Sequence, residues 1–170
     1  LIGYEIIEED KLKCTIKEIV SENMEDYAVI FRKIWRTINL MGEVMLDSIT
    51  NKPTELNHLK IKELNAHNSK FSSYCRRILY KNQITKTEDG LANYIITNLI
   101  HMVGRNFFTI NEHLYKNKYN IKKETIEFAK KTINAFELLY NSYYGTKSEG
   151  ISRKLVDNLT QEAYKLLVKG

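Results

Sequence analysis

YAVIFRKIWRTINLMGEVM, residues 27–45, is the stretch that decides the fold. Tyr27, Phe31, Ile34, Ile38, Met41 and Met45 recur at intervals of three and four, Trp35 and Val44 widen the stripe, and Arg32, Lys33, Arg36 and Glu43 fall between. That rhythm is one face of a helix. An apolar helical face must be covered, so further helices of the same kind have to follow.

They do. Helices are expected near 23–50, 53–81, 86–117, 121–144 and 149–168. Ser21 or Asn23 can cap the first, and Pro53 suits a first helical turn, where its missing N–H would be unpaired anyway. The second seam runs through Ile61, Leu64, Phe71, Cys75 and Ile78. Asn68 sits where that seam wants an apolar side chain, a placement that fixes register at some cost in stability. TKTE, residues 85–88, reads as a capping box. The third stripe is Tyr94, Ile96, Leu99, Ile100, Val103, Phe107, Ile110 and Leu114. The fourth is Ile126, Phe128, Ala129, Ile133, Phe136, Leu139 and Tyr143, with Gly145 as a left-handed stop. Ile151, Leu155, Leu159, Ala163, Leu166 and Leu167 form the fifth.

Upstream, Ile2, Tyr4 and Ile6, then Leu12, Cys14 and Ile16, alternate about a charged turn at Glu9 and Asp10. Period two means strand. Two strands alone are marginal in water, so residues 1–20 are expected to form a β hairpin packed on or linking to the bundle of residues 21–170. A start inside such a run, with no Met, suggests a piece of a longer chain. Seven Gly and one Pro in 170 residues are too few for a turn-rich β protein. The fold class is therefore mainly α: an up-and-down antiparallel helical bundle with an N-terminal β hairpin.

A hydrophobic content of 43% excludes a disordered chain, and no run approaches the roughly 20 apolar residues of a membrane span. With no leader-like start and no CxxC, Cys14 and Cys75 are expected to be buried free thiols of a cytoplasmic protein. The net charge of +5 permits acidic partners without demanding them. Arg76, Arg77 and Lys81 form the sharpest basic patch; a solvated helix end is the simpler reading, nucleic-acid contact the alternative.

No HExxH, phosphate loop or GxSxG occurs, so catalysis has no foothold among the motifs. Glu55-x-x-His58 has no second copy, and His58 and His67 lie half a turn out of phase. His101, Arg105 and Glu112, with Phe108, share one face of the third helix. Arg105 cannot ligate a metal, so this cluster reads as a groove-lining polar stripe with an anion contact rather than a metal site.

LIGYEIIEEDKLKCTIKEIVSENMEDYAVIFRKIWRTINLMGEVMLDSI, residues 1–49, resembles the segment of archaeal phosphate-uptake regulators that joins an AbrB-like DNA-binding domain to a PhoU-like helical bundle. IKELNAHNSKFSSYCRRIL (61–79) and GLANYIITNLIHMVGRNFFTINEHL (90–114) fall where that family carries its metal-motif helices. The resemblance implies a non-enzymatic regulator of phosphate uptake and transcription. It would act through a protein partner or a second copy, while an AbrB-like domain upstream would read the DNA. Trp35, Tyr143 and Tyr144 would supply apolar surface for dimerisation. The family's paired carboxylates would fall on Asn65 and Ser69, and on His101 and Arg105. Here the motif is degenerate, so no metal or other cofactor is expected, with a divalent metal on His101 and Glu112 as the alternative.

Overall fold

The computed structural model describes residues 4–9, 12–18, 24–82, 87–117, 120–145 and 153–169. Strands β1 (Tyr4–Glu9) and β2 (Cys14–Glu18) precede helices α1 (Met24–Asn51), α2 (Glu55–Lys81), α3 (Glu88–Asn117), α4 (Lys123–Tyr143) and α5 (Arg153–Lys169). The chain is thus mainly helical, in the expected order.

α1 is the axis of the molecule, because its stripe is broad enough to serve three neighbours. Phe31, Ile34, Trp35, Ile38 and Met41 are buried on it, and fully burying a side chain of this kind stabilises by about 1.5–3 kcal/mol. α2, α3 and α4 all pack against it. Trp35, expected as partner surface, is instead 1% exposed. The rings of Phe31, Phe136 and Tyr140 lie 6.2, 4.8 and 5.7 Å from it, because α4 crosses α1 at that level. Tyr143 and Tyr144 do keep part of their surface.

Helix direction follows from the contacts. Asn57 near the start of α2 donates to Asp47 and Ser48 near the end of α1 at 2.7 and 3.3 Å, so the two are antiparallel. α2 and α3 are antiparallel too, since Arg76 meets Asn98 while His58 meets Glu112. α4 runs back along α1, with Phe31 beside Tyr143 and Gly42 beside Ile133. α5 leans on α4, where Lys131 Nζ donates to both oxygens of Glu162 at 2.8 and 3.0 Å. Among the described residues no helix is long and apolar enough to cross a membrane.

Buried polar groups set the register. Asn68, fully buried, donates to the carbonyl of His101 at 3.2 Å and accepts from Ser72 at 3.4 Å. Asn111 donates to Ser48 at 2.7 Å, and Tyr27 and Thr97 share a hydrogen bond of 3.3 Å. Gly104 is what lets α3 come this close. A Cβ there would stand 2.5 Å from Asn68 Nδ2 and 3.1 Å from Ile38 Cγ1.

Several local expectations are corrected. The core side of α3 is Gly90, Thr97, Ile100, Gly104, Phe107, Asn111 and Leu114, whereas Tyr94, Leu99 and Ile110 are exposed. Small and polar residues won that face because they permit close packing. Leu139 and Tyr143 likewise stay exposed on α4. Thr54 caps α2, its hydroxyl accepting from the N–H of Asn57 at 3.1 Å, so Pro53 lies before the helix. Thr87 caps α3 by accepting from the N–H of Gly90 at 3.1 Å; the capping box expected from Thr85 begins outside the described residues. Gly145 has φ +66° and stops α4 as expected.

The strands form an antiparallel hairpin, irregular between Ile6 and Glu8. Its described backbone lies against no helix. Leu12 and Cys14 are exposed rather than strand-buried, because no helix among the described residues packs on the hairpin. Ile2, Asp10, Ser21, Asn23, Thr85 and Ile151 lie outside the described residues, as do the side chains of Tyr4, Ile6, Ile16 and Leu167.

Gly104→Ala gains about 1 kcal/mol of helix propensity but overpacks the seam at about 1–3 kcal/mol. A net loss of about 1 kcal/mol is expected in urea unfolding, shrinking in an Asn68→Ala background. Strictly additive costs would mean that position 104 does not press on Asn68. Burial pushes the Cys75 thiol up to about 12, so a thiol reagent should modify Cys14 promptly and Cys75 only after denaturation. Equal rates for both in the native protein would contradict this packing.

Candidate functional site

The polar stripe of α3 faces α2, because the Gly104 side of the helix is pressed into the α1–α2 groove. Its neighbours then border the α2–α3 seam. Three polar clusters mark that seam from end to end.

At one end Arg76 on α2 donates to Asn98 Oδ1 on α3 and to Ser73 Oγ, both at 3.1 Å. At the middle stands Asn68 on the carbonyl of His101, flanked on α2 by Asn65 and Ser69 and on α3 by Arg105. Asn65, Ser69 and His101 are half-buried, and Arg105 is exposed. Asn65 Oδ1 and His101 Nδ1 are buried with no hydrogen-bond partner among the described residues. Burial lowers the His101 pKa from its ordinary 6.5, and the charges of Arg76 and Arg105 add to this. The middle of the seam is therefore cationic around a neutral imidazole.

At the far end His58 Nδ1 lies 3.0 Å from Glu112 Oε1, an ion-pair separation without hydrogen-bond alignment. The His58 ring stacks on Tyr115, centroids 4.4 Å apart and planes within 7°. Lys116 holds the other Glu112 oxygen at 2.9 Å. That hydrogen bond is the main reason the Glu112 carboxyl sits below its usual range, with Lys116, His58 and Lys62 adding charge attraction.

The expected trio is thus divided. His101 and Arg105 stay together, whereas Glu112 belongs with His58, Tyr115 and Lys116. His58 is met by Glu112 of α3 and not by Glu55, three residues before it on its own helix. Among the described residues no three or more His, Cys, Asp or Glu gather as a metal would require. In the basic patch, Arg76 is committed to Asn98 and Ser73, and the guanidinium of Arg77 lies 5.2 Å over the ring of Tyr74. Lys81 is exposed at the helix end.

A second feature went unread in the sequence. A cavity of about 340 Å³ on α1 is lined by Ala28, Val29, Arg32, Lys33, Arg36 and Tyr144. Arg32 lies 4.8 Å over the Tyr144 ring. Burial, followed by the nearby Tyr143, pushes the Tyr144 phenol up to about 12, against the opposing pull of Arg32. Arg32, Lys33 and Arg36, at i, i+1 and i+4 on the outer side of α1, were the available signal; the far end of α4 was not.

Compared with known proteins, the chain matches no protein-family model, no curated protein and no solved structure.

His101 gives the seam a pH dependence whose sign is fixed. The fold favours the neutral ring, so as pH falls through about 6.5 the unfolded chain takes up the proton first. Stability should fall between pH 7.5 and 5.5 in urea titrations, and His101→Gln should flatten that slope. Glu112 acts in a separate, more acidic window, its contribution being lost only as pH drops below 4.5. A slope unchanged by His101→Gln would show that the ring is not desolvated.

Proposed function

We propose that this chain is a non-enzymatic regulatory domain that resembles a PhoU-like bundle and restrains phosphate uptake through protein contacts, within a longer DNA-binding protein. One observation carries the reading. α1, α2 and α3 form an antiparallel three-helix unit in which Asn65 and Ser69 on α2 border the same seam as His101 and Arg105 on α3. Those are the positions at which the resemblance puts metal-bridging carboxylates.

The chemistry there is opposite in sign. Burial, joined by the charges of Arg76 and Arg105 from both helices, favours the neutral His101 ring, so a cation entering the seam would meet fixed positive charge. Carboxylates that could compensate are engaged elsewhere, Glu112 with His58 and Lys116. What remains is a rigid bundle with a polar seam and exposed apolar helix surface, which suits a protein partner better than a substrate.

Deleting the gene in its own host should raise phosphate uptake and transporter transcripts at high external phosphate, and Arg105→Glu should reproduce part of that rise. Uptake and transcripts indifferent to deletion would overturn the phosphate role. Protein purified without chelator should carry less than about a tenth of a metal ion per chain. Stoichiometric iron or zinc would overturn the cationic-seam argument.

A further inference from the structure

The face of α3 opposite Gly104 is largely apolar, and no described helix covers it. Leu91, Ile95, Leu99, Met102 and Ile110 are 50, 47, 57, 56 and 42% exposed. They follow one another at helical spacing along a single outward stripe, with exposed Asn106 among them. Isolated exposed apolar residues need no explanation, but a continuous stripe on a helix of 30 residues does.

The order of residues in this stripe says what covers it. Read outward from a point midway between Leu99 and Met102, the stripe nearly matches itself in reverse, Asn106 opposite Ile95 being the exception. Leu99 falls opposite Met102, Ile95 opposite Asn106, Leu91 opposite Ile110, and exposed Glu88 opposite exposed His113. A two-fold axis perpendicular to α3 at that point would set each residue against its counterpart in a second chain. The charge agrees: Glu88 and Asp89 open the helix and Lys116 closes it, so antiparallel pairing sets each acidic end beside the other copy's basic end. Parallel pairing would set like ends together. An isologous interface requires this self-complementarity.

We infer that the outward face of α3 is the contact surface for a second copy of this chain, the two α3 helices packing antiparallel about a two-fold axis between Leu99 and Met102. This assigns a partner to the interaction role proposed above but stands on its own observation, so either can fail without the other. The position is free of the α2–α3 seam, because the stripe lies on the far side of α3 from Asn68 and Gly104. One helix face is smaller than the roughly 800 Å² per partner of a standard interface. The dimer is therefore expected to be concentration-dependent, with Kd on the order of micromolar.

Sedimentation equilibrium of the 20.0 kDa chain over a range of concentrations tests the proposal. A reversible monomer–dimer equilibrium is expected, weakened roughly a hundredfold by Leu99→Glu, a solvent-facing change that should leave the helical circular dichroism unaltered. Orientation is read in a Cys14→Ser background. A mixture of Ile95→Cys chains and Asn106→Cys chains should form the mixed disulfide on mild oxidation, and Ile95→Cys alone should not. A chain that stays monomeric, a dimer indifferent to Leu99→Glu, or Ile95→Cys coupling to itself would each overturn the inference.

Discussion

A single amide ties this bundle together. Asn68, fully buried, donates a hydrogen bond to the backbone carbonyl of His101, and Gly104 one turn later leaves room for it. The bond is worth only about 1 kcal/mol net, but leaving that amide buried without a partner would cost about 1–3 kcal/mol. Any slip of α3 along α2 therefore trades a satisfied group for an orphaned one. Apolar contacts alone would tolerate such a slip far better, since Ile and Leu re-pack with little penalty. The pairs Ser48–Asn111 and Tyr27–Thr97 impose the same condition between α1 and α3.

That constraint also places the candidate site residues. Once Asn68 and Gly104 are locked, Asn65, Ser69, His101 and Arg105 must border one seam, and the opposite side of α3 must face outward. The polar and apolar surfaces of α3 are two consequences of one register. The inner one is cationic where a metal site would need carboxylates; the outer one is apolar where a lone bundle would want charge.

How much of this was legible in the sequence differs from helix to helix. α1 could be read almost completely, because its core positions are large and apolar and its polar residues fall between them. Asn68 too was recognisable as a polar residue in an apolar seam. On α3 the expected Ile100, Phe107 and Leu114 are buried and Ile96 and Val103 pack beside them, but Tyr94, Leu99 and Ile110 are exposed, and Gly90, Thr97, Gly104 and Asn111 complete the buried face. Counting apolar residues made that stripe too wide and could not find the small and polar positions within it. Trp35 looked like partner surface until α4 was seen to cover it. The pairing of His58 with Glu112 joins residues far apart in the chain, and only the antiparallel path of α2 and α3 brings them together.

The link between α1 and α2 is three residues, 52–54, and its Lys52 adopts φ 73° without being glycine. A left-handed lysine costs of order 1 kcal/mol, yet the turn is held on both sides: Asp47 accepts from Asn51 at 2.8 Å and from Asn57 at 2.7 Å, and Thr54 caps α2. So short a connection makes the first helix pairing local in sequence, with little loop-closure entropy to overcome. Low contact order of this kind is what allows helical bundles to fold in microseconds to milliseconds. The α1–α2 hairpin is thus the natural template of the molecule, presenting a preformed groove with Asn68 already in place before α3 arrives to be read against it.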